Sequence, residues 1–254
     1  MQEDSARVRD ALPGQIPVSP DNPCPFLRAL VAGGFVDGHT VPLKTIAHNI
    51  EAASGETGFK KRVVGIKTFG VALIANGLSP LRLLKSLFSG ADLDELRNGP
   101  LDKHGGGSRI LDVDANVQPA EIDRLASFGS DYPDPNGSTE RGLNEAQVQA
   151  FMKANLKRDG DQARWYYPLL MQGEWPVLLN ILGKGEGDSR YLSVAEVRTL
   201  FVERRFPQRI VARLMTKPKP ANIIWRIGKA LVGTAVLAAV AVLVAWMAAP
   251  DAVG

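Results

Sequence analysis

Asn22-Pro23-Cys24-Pro25-Phe26-Leu27-Arg28-Ala29-Leu30-Val31-Ala32, followed by Gly33-Gly34, is the stretch on which the reading of this chain turns. Pro25 suits the first position of a helix, where a missing N–H is no loss, and the glycine pair is an ordinary C-terminal stop. The pattern predicts a helix over Pro25–Ala32 with Cys24 as its N-cap. The free N–H groups of the first turn and the positive end of the helix dipole then point at the sulfur, and both favour thiolate. Pro23 and Pro25 stiffen the backbone on either side and remove competing donors. A thiolate held in this way is a suitable axial ligand for haem iron.

Outward from this stretch, helix follows helix. Val41-Pro42-Leu43 opens a second one that runs to about Ala53, with Leu43, Ile46, Ala47 and Ile50 on one face. Residues 63–76 read as a buried helix too short to span a bilayer, and 78–88 and 93–97 as shorter ones. Further helices are predicted over Asn144–Leu156, over Tyr166–Leu182 with interruptions near Pro168 and Pro176, and over Ser193–Phe201. In the last, Ser193 is the N-cap and Glu196 completes a capping box. Residues 98–108 and 129–142 are rich in Gly, Pro, Asp and Asn and read as loops, and 183–190 reads as a solvated turn. No strand pattern and no repeat is visible. The expectation is an all-α domain over 22–212, preceded by a flexible leader over 1–21.

Charge is distributed unevenly. The net charge is +3. Residues 203–229 hold Arg204, Arg205, Arg209, Arg213, Lys217, Lys219, Arg226 and Lys229 against Glu203 alone. After this basic linker (213–229) comes Ala230–Ala249, a run without a charged residue, and a short tail over 250–254. At 1.5 Å per residue the run reaches roughly 30 Å, the thickness of a hydrocarbon core. Trp225 and Trp246 lie near its ends, as interface aromatics do. The expectation is a single-pass C-terminal transmembrane helix with the N-terminal domain on the cytoplasmic side. The basic stretch has no interleaved aromatic platform, so a nucleic-acid partner is not expected. Cys24 is the only cysteine, which excludes an internal disulfide and a cysteine-cluster metal site.

With these residues in view the chain resembles a family. Pro23-Cys24-Pro25, a short helix and Gly34-Phe35 look like the Pro-Cys-Pro element of the haem-thiolate peroxidases, the chloroperoxidase and unspecific peroxygenase family. Further segments follow in the family's order across roughly 20–210. They are Glu121-Ile122-Asp123, Phe151 in its helix, Gln172-Gly173-Glu174 before an apolar run, and the Leu200 to Pro207 stretch. The resemblance implies haem b bound through Cys24, a peroxide oxidant and a small apolar substrate. It implies Glu174 as the distal acid–base residue, and Glu121 and Asp123 near the haem propionates, where Glu121 could hold magnesium. Ile122 departs from the pattern, standing where the family has a histidine or glycine; it cannot transfer a proton.

Two other readings stay open. One is a non-catalytic, membrane-anchored helical scaffold or partner-binding domain that has lost the haem. The other is a calcium loop at Asp112–Asp123, with oxygen side chains at positions 1, 3, 5 and 12 but no glycine at position 6.

Overall fold

The computed structural model describes residues 12–103, 105–134, 137–160 and 167–216. It overturns the all-α expectation: among the described residues there are nine α-helices and six short strands in two antiparallel sheets. Helix α1 (Pro25–Ala32) is the centre of the core, with every residue from Phe26 to Ala32 buried. A helix that is apolar nearly all round must be enclosed on all sides. Strand β1 (Thr40–Val41) precedes α2 (Leu43–Ser54), and α3 (Gly58–Ile74) packs along α2. Helix α4 (Pro80–Ser89) leads into β2 (Ala91–Asp92), which pairs with β1 so that Val41 faces Ala91. The turn between α4 and β2 needs Gly90: its φ is 110°, and a Cβ there would lie 2.3 Å from the Val41 carbonyl oxygen.

A 3-10 turn (Leu96–Asn98) takes the place of the helix expected over 93–97. Helix α5 (Pro119–Ser127) then precedes a hairpin of β3 (Ser130–Pro133) and β4 (Thr139–Leu143), where a loop was expected. Helix α6 (Glu145–Asp159) is capped by Asn144, whose side chain accepts from Gln147 N while Gln147 Oε1 accepts from Asn144 N. Helix α7 (Tyr167–Leu182) runs directly into β5 (Gly183–Lys184), and β6 (Tyr191–Ser193) into α8 (Val194–Phe201). The larger sheet has the order β3-β4-β6-β5, with Leu143 opposite Leu192 and Lys184 opposite Tyr191. The strands escaped the sequence pattern because they are two to five residues long. That is too short for a period-2 alternation, and β4 finds β6 across some fifty intervening residues rather than through a local turn.

Helix α9 (Gln208–Met215) continues the body three residues into the expected basic linker. Of the leader expected over 1–21, the described part is packed: Val18 is buried and Gln15 Nε2 donates to the Glu203 carbonyl at 2.7 Å. Among the described residues no helix is long and apolar enough to cross a membrane; the expected span 230–249 lies outside them. Aromatic contacts join the halves of the core. Phe26 meets Phe206 edge-on at 4.9 Å, and Phe151 meets Trp175 at 5.1 Å.

Candidate functional site

Cys24 is the N-cap of α1, with extended backbone (φ −81°, ψ 112°), and sits where the first turn of the central helix reaches the edge of the core. The turn before it is fastened from several directions. Asn22 is fully buried, and its Oδ1 accepts the Cys24 N–H at 3.1 Å. The Arg97 N–H donates to the Asp21 carbonyl at 3.1 Å, and its Nε to the Pro20 carbonyl at 3.3 Å. The same guanidinium donates to the Val113 carbonyl and stands 3.8 Å from Asp102. One buried arginine thus ties the approach to Cys24 to two later loops. Arg28, one turn along α1, donates to the Ala115 carbonyl at 3.0 Å and holds the second loop along the helix.

The cysteine is enclosed without being sealed. It packs against the core yet stays half-buried. Burial pushes its thiol pKa up. The N–H groups of Leu27 and Phe26 pull it down, as the N-cap position leads one to expect, although neither closes a full capping hydrogen bond. Glu174 pushes it up and Lys103 down. The net direction is upward, which reverses the thiolate expected from position alone: loss of solvent outweighs the helix terminus.

Glu174 lies on α7 two residues before Pro176, a proline inside the helix that removes the backbone bond to the carbonyl four residues earlier. Both carboxylate oxygens of Glu174 accept from Lys103 Nζ. The lysine side chain is only 11% exposed and the glutamate 43%, so the ammonium is enclosed while the carboxylate reaches the surface. Lys103 is carried by the loop after the 3-10 turn. That loop lies directly on the end of α3: a Cβ on Gly99 would come 1.7 Å from the Ala75 carbonyl oxygen.

Glu174 is therefore the expected site residue whose charge acts on Cys24. Glu121 and Asp123, expected near the haem propionates, have arginine partners of their own. Arg158 grips both oxygens of Glu121 at 2.7 Å each and holds its carboxyl below the usual carboxylate range; Arg124 stands 3.8 Å away. Asp123 accepts from Arg198 at 2.8 Å. A carboxylate with both oxygens in a bidentate guanidinium pair does not fit a magnesium ligand, because the cation would have to displace a charge-assisted bond. Ile122 is fully buried in the core, which accounts for an apolar residue at that position.

The imitation calcium loop is closed on itself. Asp112 accepts from Asp114 N at 2.8 Å, Asn116 N at 2.9 Å and Gln118 Nε2 at 2.9 Å, while Asp123 is carried off on α5. Among the described residues no group of three or more His, Cys, Asp or Glu side chains is arranged to hold a metal ion. His104, read as a loop residue, lies outside the described residues.

Haem asks for something different, a single soft ligand with access from one side. Cys24 supplies the donor type, a single cysteine at a helix N-terminus near a carboxylate and an ammonium, with its thiol desolvated by the surrounding core. Lys103 and Arg97 were missed in the sequence: nothing local marks them, and Lys103 meets Glu174 across 71 positions. No known family model, no curated protein and no solved structure matches the chain.

Proposed function

We propose that this chain is a membrane-attached oxidoreductase of haem-thiolate type, using a peroxide on a small apolar substrate, with Cys24 as the iron ligand. The observation that carries this reading is a half-buried cysteine at the N-terminus of the central helix, its thiol desolvated and within reach of the charges of Glu174 and Lys103. A bound haem b supplies the iron centre whose thiolate ligand favours O–O cleavage. The chain's own residues do the rest. Cys24 would hold the iron as a thiolate, and the N–H groups of Leu27 and Phe26 would stabilise that anion. Buried Phe26, Leu27 and Leu30 keep water from the helix behind the sulfur. Glu174 moves the peroxide proton from one oxygen to the other when Lys103 releases one of its two bonds. Ile122 takes no part in that transfer. The run 230–249 holds the protein in a bilayer, with the body on the side of the basic flank.

The alternative is a partner-binding body that holds no haem. The upward shift of the Cys24 thiol and the closed Glu174–Lys103 pair favour it. Titration of the full-length protein with haem b separates the two. The proposal expects tight binding and the red-shifted absorption of a thiolate-ligated ferrous–CO complex, lost in Cys24→Ser. Glu174→Gln should leave that band intact and lower peroxide turnover about 100-fold or more. Absence of the band, or its survival in Cys24→Ser, gives the chain to the partner-binding reading.

A further inference from the structure

Helix α4 presents an apolar stripe to solvent. Leu83 and Ser86 face the body, with Ser86 buried. On the opposite side Leu81, Leu84 and Phe88, spaced i, i+3 and i+7, share one line, and Leu87 widens it. Leu81 is 81% and Phe88 82% exposed, close to the exposure of an unfolded chain. Lys85 borders the stripe, its ammonium 3.2 Å from Asp92 and 3.6 Å from Glu95, so charge lies beside the apolar line and not on it. Water-facing leucine and phenylalanine at this spacing mark a surface that is covered in use.

We infer that this stripe rests in the surface of the bilayer to which residues 230–249 attach the chain, which rests on the anchoring proposed above. Two observations select lipid over a protein. The stripe is a ridge, not a groove. Side chains that project so far have no walls to receive a partner helix, whereas fluid acyl chains close around them. It is also small: a ten-residue helix is about 15 Å long and about 10 Å across, so one face offers about 150 Å², well short of the roughly 800 Å² per partner of a stable protein interface. The chain beyond the body supplies what so small a contact lacks. Described structure ends at Thr216, and 217–229 reach at most about 45 Å before the uncharged run begins. A tether of that length holds the body at the membrane surface, so a weak apolar contact is made at high effective concentration.

The test uses the full chain in phosphatidylcholine–phosphatidylglycerol vesicles. In a Cys24→Ser background, Leu81→Cys, Phe88→Cys and, as a water-facing control, Val113→Cys are spin-labelled one at a time. Collisions with oxygen, which partitions into lipid, are compared with those of a water-soluble nickel chelate. Alkaline carbonate extraction reports on the anchor separately. The inference expects nickel access at 81 and 88 about tenfold or more below that at 113, with oxygen access raised, in protein that resists extraction. Labels at 81 and 88 that meet nickel as freely as 113 overturn it while anchoring stands. Labels shielded from both reagents overturn it too, by showing the stripe under protein, either 230–249 or a second copy. Extraction by carbonate removes the anchoring and this inference together.

Discussion

Two polar regions of this molecule are partly buried, and they are built on opposite plans. At the larger sheet, Glu140 accepts from Lys184 Nζ at 2.6 Å, from the Tyr191 hydroxyl at 2.7 Å and from the Ser193 hydroxyl at 2.8 Å. Lys184 also reaches Asp134 at 3.2 Å, and Tyr132 stacks on Tyr191 at 4.3 Å. Burial alone would raise the Glu140 carboxyl, but these hydrogen bonds outweigh it and bring it below its ordinary range. At Cys24 burial also pushes upward, and the neighbouring N–H groups do not reverse it. The first region is saturated: every partner its charges need is in the chain. The second is not: the Cys24 thiol is desolvated without a strong partner, and such a group is where a ligand has most to gain.

The comparison can be broken first at its strongest point. Glu140→Ala would leave half-buried Lys184 without its main counter-charge and take a partner from Tyr191 and Ser193. We expect a loss of about 2–4 kcal/mol in urea unfolding. Cys24→Ala in the same assay should cost about 1 kcal/mol or less, since it removes no strong hydrogen bond and only a small half-buried side chain. Equal losses would show that the cysteine is structural.

Dependence on pH sharpens the contrast next, because the two regions fail at opposite ends. The carboxyls of Glu140 and Glu121 lie lower in the folded than in the unfolded chain. Their contribution is therefore complete above about pH 5 and is lost as pH falls through 4 and below. Cys24 is raised when folded. The unfolded thiol ionises from about pH 8.5 upward while the folded one stays protonated, so stability falls there. Urea midpoints between pH 8 and 10 should decline less in Cys24→Ser than in the native chain. Those between pH 6 and 3 should decline less in Glu140→Gln. An unchanged alkaline limb in Cys24→Ser would contradict the upward direction at that sulfur.

The smallest effect lies at the margin of the saturated region. Gln147, besides its part in the cap of α6, accepts from the Tyr132 hydroxyl at 3.0 Å and donates to Ser130 at 2.7 Å. Asn144→Ala should cost about 1 kcal/mol by loss of the cap. A cost above that would mean that the cap also orders the hairpin.

The two regions were unequally legible in the sequence, for a physical reason. Cys24 could be placed at a helix start because capping is decided by adjacent residues, here two prolines and a glycine stop. The network around Glu140 could not, because its members lie in stretches that read as loops, 129–142 and 183–190, or at their edges. They are brought together only by strand pairing between β4, β5 and β6. The Glu174–Lys103 pair and the many bonds of Arg97 were hidden in the same way, each partner being distant along the chain.

What the sequence determined by itself is local. It set where α1, α6 and α8 begin, that a single sulfur occupies a helix terminus, and that an uncharged run follows a basic flank. Only the tertiary structure decided that the body is mixed α and β. It also decided that burial overrides the helix terminus at Cys24, that arginines occupy Glu121 and Asp123, and that the apolar side of α4 faces outward. Caps and turns are fixed by neighbours a few bonds away. Desolvation and ion pairing depend on which distant segments pack against a group, and no local pattern records that.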